Sequence, residues 1–391
     1  MATVALGCKE DVTAPGHCPD LCPSDSLQVV DTVITGVVAF DTSVRGFTSV
    51  SQAPILLLAD EDSLMAHPIV RFFPLPQSWI PVATDTSTAS IGTIDSVALE
   101  LRMDARDSTK KNLRLLVYRL PALLDSTVTY ASTLPYFADS MLIDSIPISD
   151  SLHIANLRRL LPALKVTPSS LDSFVVSVGF ALHSDAQTSV VLAATDFTGT
   201  PPHLKFFVHG AAPRDTFRTV FDLTPTFDTW VQTPDVQAPP LQTIVVGNQP
   251  ASRAFLKFQI PSYYVDTANV VRATLQLTLT RPVRGYQGTT FGLEAQPVLR
   301  YFGGKSVLIS DTSVTGLGTA TVGHTGTVEV EMSHVLRVWR GISVDSLPRI
   351  ITLRMTNEAF EIGQIDAASG GTATAPKMQI SFVRPFKFGV P

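Results

Sequence analysis

The sequence predicts an all-β protein made of two similar antiparallel β-sandwiches, and three observations carry that expectation. Short stretches alternate apolar and polar residues with period two, the pattern of strands with one buried face. The 28 prolines are spread along the chain, which leaves little room for long helices. One strand is written twice, about half a chain length apart: "PPHLKFFV" (Pro201 to Val208) and "APKMQISF" (Ala375 to Phe382). Pro202 aligns with Pro376, and Leu204, Phe206 and Val208 align with Met378, Ile380 and Phe382. At 391 residues the chain exceeds what one hydrophobic core usually serves, in keeping with two copies.

Residues 1–26 read as a tether. "MATVALGC" ends in a small residue followed by Cys8, which resembles a bacterial lipobox, with Ala5 and Leu6 in the reverse of the usual order. In that reading Cys8 is the lipidated residue. The other two cysteines, Cys18 and Cys22, then form an even pair close enough for a small disulfide loop, which suits an extracytoplasmic address. The rival reading is a zinc site from Cys8, His17, Cys18 and Cys22, whose spacing fits no common zinc pattern. No apolar run approaches the roughly 20 residues a membrane-spanning helix needs; the longest is "APILLLA" (Ala53 to Ala59).

The strands follow. "LRLLV" (Leu113 to Val117), "TLQLTL" (Thr274 to Leu279), "VEVEM" (Val328 to Met332) and "ITLRM" (Ile351 to Met355) all alternate. "ALELRM" (Ala98 to Met103) does so with Glu100 and Arg102 opposite Leu99, Leu101 and Met103. Two stretches carry helix-like spacing instead, "SLHIANLRRLL" (Ser151 to Leu161) and "SHVLRVWRG" (Ser333 to Gly341), and are expected as short helices crossing a sandwich end. The landmarks recur in order: "FPLP" (Phe73 to Pro76) with "FQIP" (Phe258 to Pro261), "ALEL" with "TLQL", the two helical stretches, "SFVVSVGF" with "RIITLRM", and the closing strands. The first copy has a longer loop around "QSWIPVATDTSTASIG". The expected division is therefore a tether over 1–26, one sandwich over 27–210 and a second over 211–391, joined near "HGAAPRD" (His209 to Asp215).

Catalytic signatures are missing from this pattern. The sequence has no HExxH, no Walker loop and no GxSxG, and no two of the eight histidines have the i, i+4 spacing of a metal-binding helix. The glycines of "TGLGTATVGHTG" (Thr315 to Gly326) lack the lysine and the strand–loop–helix context of a phosphate loop and read as a hairpin connection. A net charge of −5 with no basic stripe argues against a nucleic-acid partner. The best metal candidate is Asp60, Glu61 and Asp62, whose carboxylates would suit calcium. The aromatics that could stack on a sugar, or pack into a protein interface, are Trp79, Trp230, Tyr263 and Tyr264; Trp339, on the second helical stretch, is expected in the core.

The series "FLKFQIP", "ATLQLTL", "VEVEMSHVLRVWRG", "ITLRM" and "APKMQISF" resembles the DNRLRE-type jelly roll of secreted proteins, related to carbohydrate-binding module family ninety-six. The family's acidic-arginine motif is replaced here by "DAASGGTATAPK" (Asp366 to Lys377). The resemblance implies a non-catalytic jelly-roll module for glycan binding, surface attachment or assembly. In overall character the chain is similar to the membrane-extrinsic accessory subunits of bacterial photosynthetic reaction-centre complexes. The expectation is a non-enzymatic structural subunit without a cofactor, lipid-anchored on the periplasmic face of a bacterial membrane. Its expected partner is an integral membrane complex, with a carbohydrate-binding surface lipoprotein as the alternative.

Overall fold

The computed structural model describes residues 29–384, apart from 48–49, 62–63, 82–86, 123, 126, 153, 163, 165–174, 197–199, 234–240, 249–250, 310–313, 359 and 361. The fold is all-β, with two curled antiparallel sheets and short helices. Among the described residues the chain opens with β1 (Val29–Ile34) and β2 (Val38–Arg45). It continues through β3 (Ile55–Glu61), β4 (Leu64–Phe72), β5 (Ser78–Trp79), β6 (Ala89–Arg106), β7 (Arg114–Leu120), the helix α1 (Tyr130–Thr133), β8 (Leu142–Pro147), β9 (Ala155–Leu160), β10 (Ser177–His183), β11 (Thr188–Ala193) and β12 (His203–Gly210). Next come β13 (Arg218–Leu223) and β14 (Pro225–Thr233). The last part holds β15 (Thr243–Asn248), β16 (Ala251–Phe258), β17 (Asn269–Thr278), β18 (Arg284–Gly285), β19 (Thr290–Tyr301), β20 (Val307–Ile309), β21 (Gly316–Thr321) and β22 (Thr327–Glu331). The helix α2 (Ser333–Trp339) and the strands β23 (Ile350–Met355), β24 (Gly363–Ala368) and β25 (Lys377–Val383) complete it.

Each sheet bends over on itself to enclose one core. In the first sandwich β8–β7–β10–β4–β14 form one layer, β13–β12–β6–β9 the other, and β3 and β11 carry the sheet round the bend. Alternate residues of both layers meet inside, among them Val70 and Phe72 of β4, Val178 and Phe180 of β10, Leu99 and Leu101 of β6, and Leu204 and Phe206 of β12. The second sandwich repeats the plan of these layers. Its layers are β20–β19–β23–β16–β2 and β1–β25–β17–β22, with β15 and β24 at the bend. Here β21 also joins β22 to β19, so that side of the barrel is closed. Phe72 and Phe258 occupy matching core positions, each with its amide bonded to the residue before the neighbouring strand, Val176 and Arg349. Phe73, which the sequence alignment set against Phe258, is exposed.

The strands do not divide between the sheets at residue 210. β13 and β14, which the sequence placed in the second domain, complete the first sheet. β1 and β2, placed in the first domain, complete the second, with Val29 to Ile34 opposite Val383 to Met378 and Phe40 opposite Lys257. Each pair is an arch and not a hairpin, because its two strands lie on different layers. The arches are themselves a repeat: "DTVITGVVAFDTSV" (Asp31 to Val44) and "RTVFDLTPTFDTWV" (Arg218 to Val231) align without a gap. Thus each copy of the repeat lends its first two strands to the other copy's sandwich. Period-two alternation marks a strand but says nothing about which of two similar edges it joins, which is why the boundary at 210 misassigned them.

The shared Phe-Asp-Thr explains how each arch is fixed. Asp228 Oδ2 accepts the Thr195 amide (2.6 Å) and hydroxyl (2.5 Å) just beyond β11. Asp41 Oδ2 accepts the Ser369 hydroxyl (2.8 Å) and the Gly370 amide (2.7 Å) just beyond β24. Both aspartates therefore satisfy an otherwise unpaired backbone donor at the same corner of the fold. Burial pushes the Asp228 carboxyl up, against the two Thr195 bonds that favour its ionised form.

One expected helix is a strand. Ala155 to Leu160 pair with β6, Glu100 facing Arg158 (3.2 Å), because a partner edge outweighed a spacing that fits both periods. The second expected helix is present as α2, which buries Val335, Leu336 and Trp339. The sequence did not point to α1 and the helical turn Leu134–Phe137 that follows it. These cover the outer face of β4, β7 and β10, where the Phe137 ring sits so close to Gly179 that a Cβ there would lie 2.8 Å from it. His67 is buried in this cover between Tyr130 (centroids 5.0 Å apart) and Phe137 (4.3 Å).

Two outcomes follow for stability. Asp41→Ala and Asp228→Ala should each cost about 1–3 kcal/mol by removing two part-buried hydrogen bonds to a carboxylate, measured as a lower urea midpoint; a loss at one aspartate only would refute their equivalence. Burial lowers the His67 pKa to about 4. The unfolded chain therefore binds the proton more readily between about pH 6.5 and 4, and stability should fall by roughly 3 kcal/mol as pH drops through that window. His67→Phe should flatten this slope in urea titrations run at each pH.

Candidate functional site

The site is the end of the second sandwich at which β1 begins. After β16, Pro261 ends the extended run and Tyr263 to Thr267 form one wide helical turn, closed by the Ala268 amide on the Tyr263 carbonyl (2.7 Å). Val265 anchors the turn in the core. Asp266 accepts the Gly341 amide (3.3 Å) just past α2 and pairs with Arg349 (3.6 Å).

This turn sets an aromatic cluster at the sandwich end. Tyr263 meets Tyr264 edge-on (5.3 Å between centroids), and both meet Phe382 of β25 (5.7 and 5.4 Å). Phe382 is 5% exposed and belongs to the core, Tyr264 is half-buried, and Tyr263 stands 39% exposed. Val271 is the extra residue of a bulge between Val270 and Arg272, so the ladder releases it and it is 55% exposed. Val29, opposite Val383 at the same sheet end, is 60% exposed. Val29, at this end, is the first of the described residues.

Beside these apolar residues runs a polar face. A cleft of ≈330 Å³ is lined by Asp31, Arg272, Thr274, Glu329, Gln379 and Ser381. The Ser381 hydroxyl donates to Asp31 (2.5 Å), and Gln276 donates to both Glu329 (3.2 Å) and Gln379 (3.1 Å). Burial tends to raise the Glu331 carboxyl, but the Ser333 hydroxyl and amide, the Ala273 amide and Arg272 together hold it below the usual carboxylate range. The same position in the first sandwich carries ions instead: Lys205 bridges Glu100 (2.7 Å) and Asp222 (3.7 Å), and Arg158 joins Glu100 from the other side. A cleft of ≈900 Å³ borders that face, and its Arg159 is already committed to Asp144 at 2.7 Å.

The remaining expected site residues are dispersed. Trp230 is 2% exposed in the first core, its Nε1 donating to Gln232 (3.2 Å), so it presents no face to a ligand. β14 is covered on both sides, Trp230 pointing into the sandwich and Val231 into the outer cover, and the exposed platform expected there is corrected. Trp79 is half-buried and packs edge-on against Phe221 (5.8 Å), bracing the arch from the first copy's long loop. Trp339 lies in the core as expected. Asp60 and Glu61 are consecutive residues of β3, whose side chains leave on opposite faces, while Asp62 lies outside the described residues. Among the described residues no three His, Cys, Asp or Glu side chains gather to hold a metal ion. Cys8, Cys18 and Cys22 lie outside the described residues. The bulged Val271 and the exposed Val29 were missed, because nothing in an alternating stretch marks where a ladder slips.

No family model matches this chain, and no curated protein matches it. Among solved structures, one titled "Structure of infectious bursal disease virus Gx strain" is 10% identical over 95% of this chain and 80% of that chain, with a TM-score of 0.10; a superposition that poor carries no argument.

The cluster separates two roles that substitution can read. Phe382→Ala should cost about 3–5 kcal/mol as a core truncation, whereas Tyr263→Ala should change stability by less than about 1 kcal/mol. Urea denaturation of both variants checks this, and a large loss at Tyr263 would make that ring structural.

Proposed function

We propose that this protein is a non-catalytic structural subunit that docks on a membrane protein assembly through the aromatic end of its second sandwich. The observation that carries the reading is the placing of exposed Tyr263, Val271 and Val29 at the sandwich end where β1 begins. A tether there, lipidated at Cys8 and held on the periplasmic face, would bring this apolar end toward the membrane and whatever protein lies in it. Exposed apolar residues rimmed by the polar Asp31–Arg272 face have the make-up of a protein interface. In its most specific form the partner is a photosynthetic reaction centre–light-harvesting complex. The alternative, a carbohydrate-binding surface lipoprotein, keeps Tyr263 and half-buried Trp79 as stacking faces but not Trp230.

Gentle detergent extraction from the native membrane, with mass spectrometry of the recovered material, tests this. Stoichiometric recovery with an integral complex is expected, falling at least roughly tenfold for Tyr263→Ala combined with Val271→Asp, as for loss of an interface anchor. Recovery of the chain alone, with retention on a polysaccharide panel that Trp79→Ala abolishes, would overturn the docking reading in favour of the alternative.

A further inference from the structure

The two arches occupy equivalent places but reach them by different routes. β13–β14 completes the sandwich whose strands immediately precede it in the chain. The second sandwich takes its arch from the far end of the sequence, β1–β2, which is covalently joined to the first sandwich through residues 46–54. No backbone continuity assigns this arch to the second sandwich of its own chain.

Among the described residues, it is held by contacts between residues 29–47 and the second sandwich. Val30 and Ile34 pack on the core, while Val37 and Val38 lie within it. Asp41 takes its two bonds beyond β24, and the Ser43 hydroxyl accepts the Val245 amide (2.8 Å). The end of the arch is pinned as well. The Gly46 amide donates to the Ala251 carbonyl (2.8 Å), Lys305 donates to the Gly46 carbonyl (2.6 Å), and the Arg253 guanidinium, held by Glu358, lies over Phe47 at 4.4 Å. Residues 29–47 of a second molecule would satisfy each of these contacts identically.

We propose that the arch site of the second sandwich is an assembly site for a second copy of this chain, which inserts its own residues 29–47 there in exchange. Reciprocal exchange between two copies closes as a two-fold, isologous dimer, whereas passing each arch on to a further copy continues head to tail. In dilute solution the single chain closes on itself, because its arch is held near its own site at an effective concentration of roughly millimolar. Exchange becomes competitive when copies approach that concentration while the arch is open.

The test uses Val33 and Gln379, which face each other in register on the outer face. In the full chain with Cys8, Cys18 and Cys22 replaced by Ser, copies carrying only Val33→Cys are mixed with copies carrying only Gln379→Cys. They are unfolded, refolded together at chain concentrations from about 1 µM to about 1 mM, and oxidised. The expected result is a mixed disulfide-linked dimer whose yield rises at least tenfold across that range and exceeds that from either copy alone. A chain carrying both cysteines, refolded dilute, reports whether the pair can close. If it closes within one chain while the mixture stays monomeric at every concentration, the proposal is overturned. If it does not close, light scattering on the cysteine-free chain after the same refolding decides: discrete multiples of the chain mass support the proposal and a uniform monomer overturns it.

Discussion

The structure rests on the need to finish the edges of two open sheets at once. Without its arch, each sandwich would end in β12 and β4, or β25 and β16, with rows of unpaired backbone groups on both layers. One arch meets both needs because its two strands diverge, one to each layer. Its aspartate then fastens the corner between them through one backbone amide and one hydroxyl. Since each arch comes from the other repeat, neither sandwich can complete its edges from its own copy of the sequence. The two are coupled through backbone ladders as well as through the small apolar contact of Ile55 and Val191 with Tyr286.

Much of this fold is legible in the sequence, and the illegible part has a definite cause. Alternation located the strands that carry the cores, as in Leu275 and Leu277 of β17 or Met378 and Ile380 of β25. The repeated closing strand identified the duplication. Pairing is a different kind of information. Nothing in Val29 to Arg45 distinguishes the edge of one copy from the matching edge of the other, and only a three-dimensional fit selects it. Ser151 to Leu161 failed similarly: its apolar spacing suits a helix turn as well as a strand, and the edge of β6 settled the matter.

The candidate site was legible in its aromatics and not in its exposure. Tyr263 and Tyr264 stood out as a pair, but sequence could not tell that Phe382 would lie beneath them or that a bulge would release Val271. Trp230 shows the converse, since a tryptophan among polar residues suggests a platform until both faces of its strand are covered. The outer polar faces show how the copies have diverged: Lys205, Glu100 and Arg158 in one stand where Gln379, Gln276 and Glu329 stand in the other. The backbone scheme is kept while the charges change, as expected if the faces meet different surroundings and the cores do not.

Native-state hydrogen exchange along β1 and β2 tests the central claim most directly. If the first arch is an integral part of the second sandwich, the amides of Thr32 to Ile34 and Phe40 to Val44 that the ladder bonds should open with the same free energy as those of β16 and β25. Rapid exchange throughout 29–45, while β16 and β25 remain protected, would contradict the account, because the second sandwich would then be complete without the strands that the first repeat lends it.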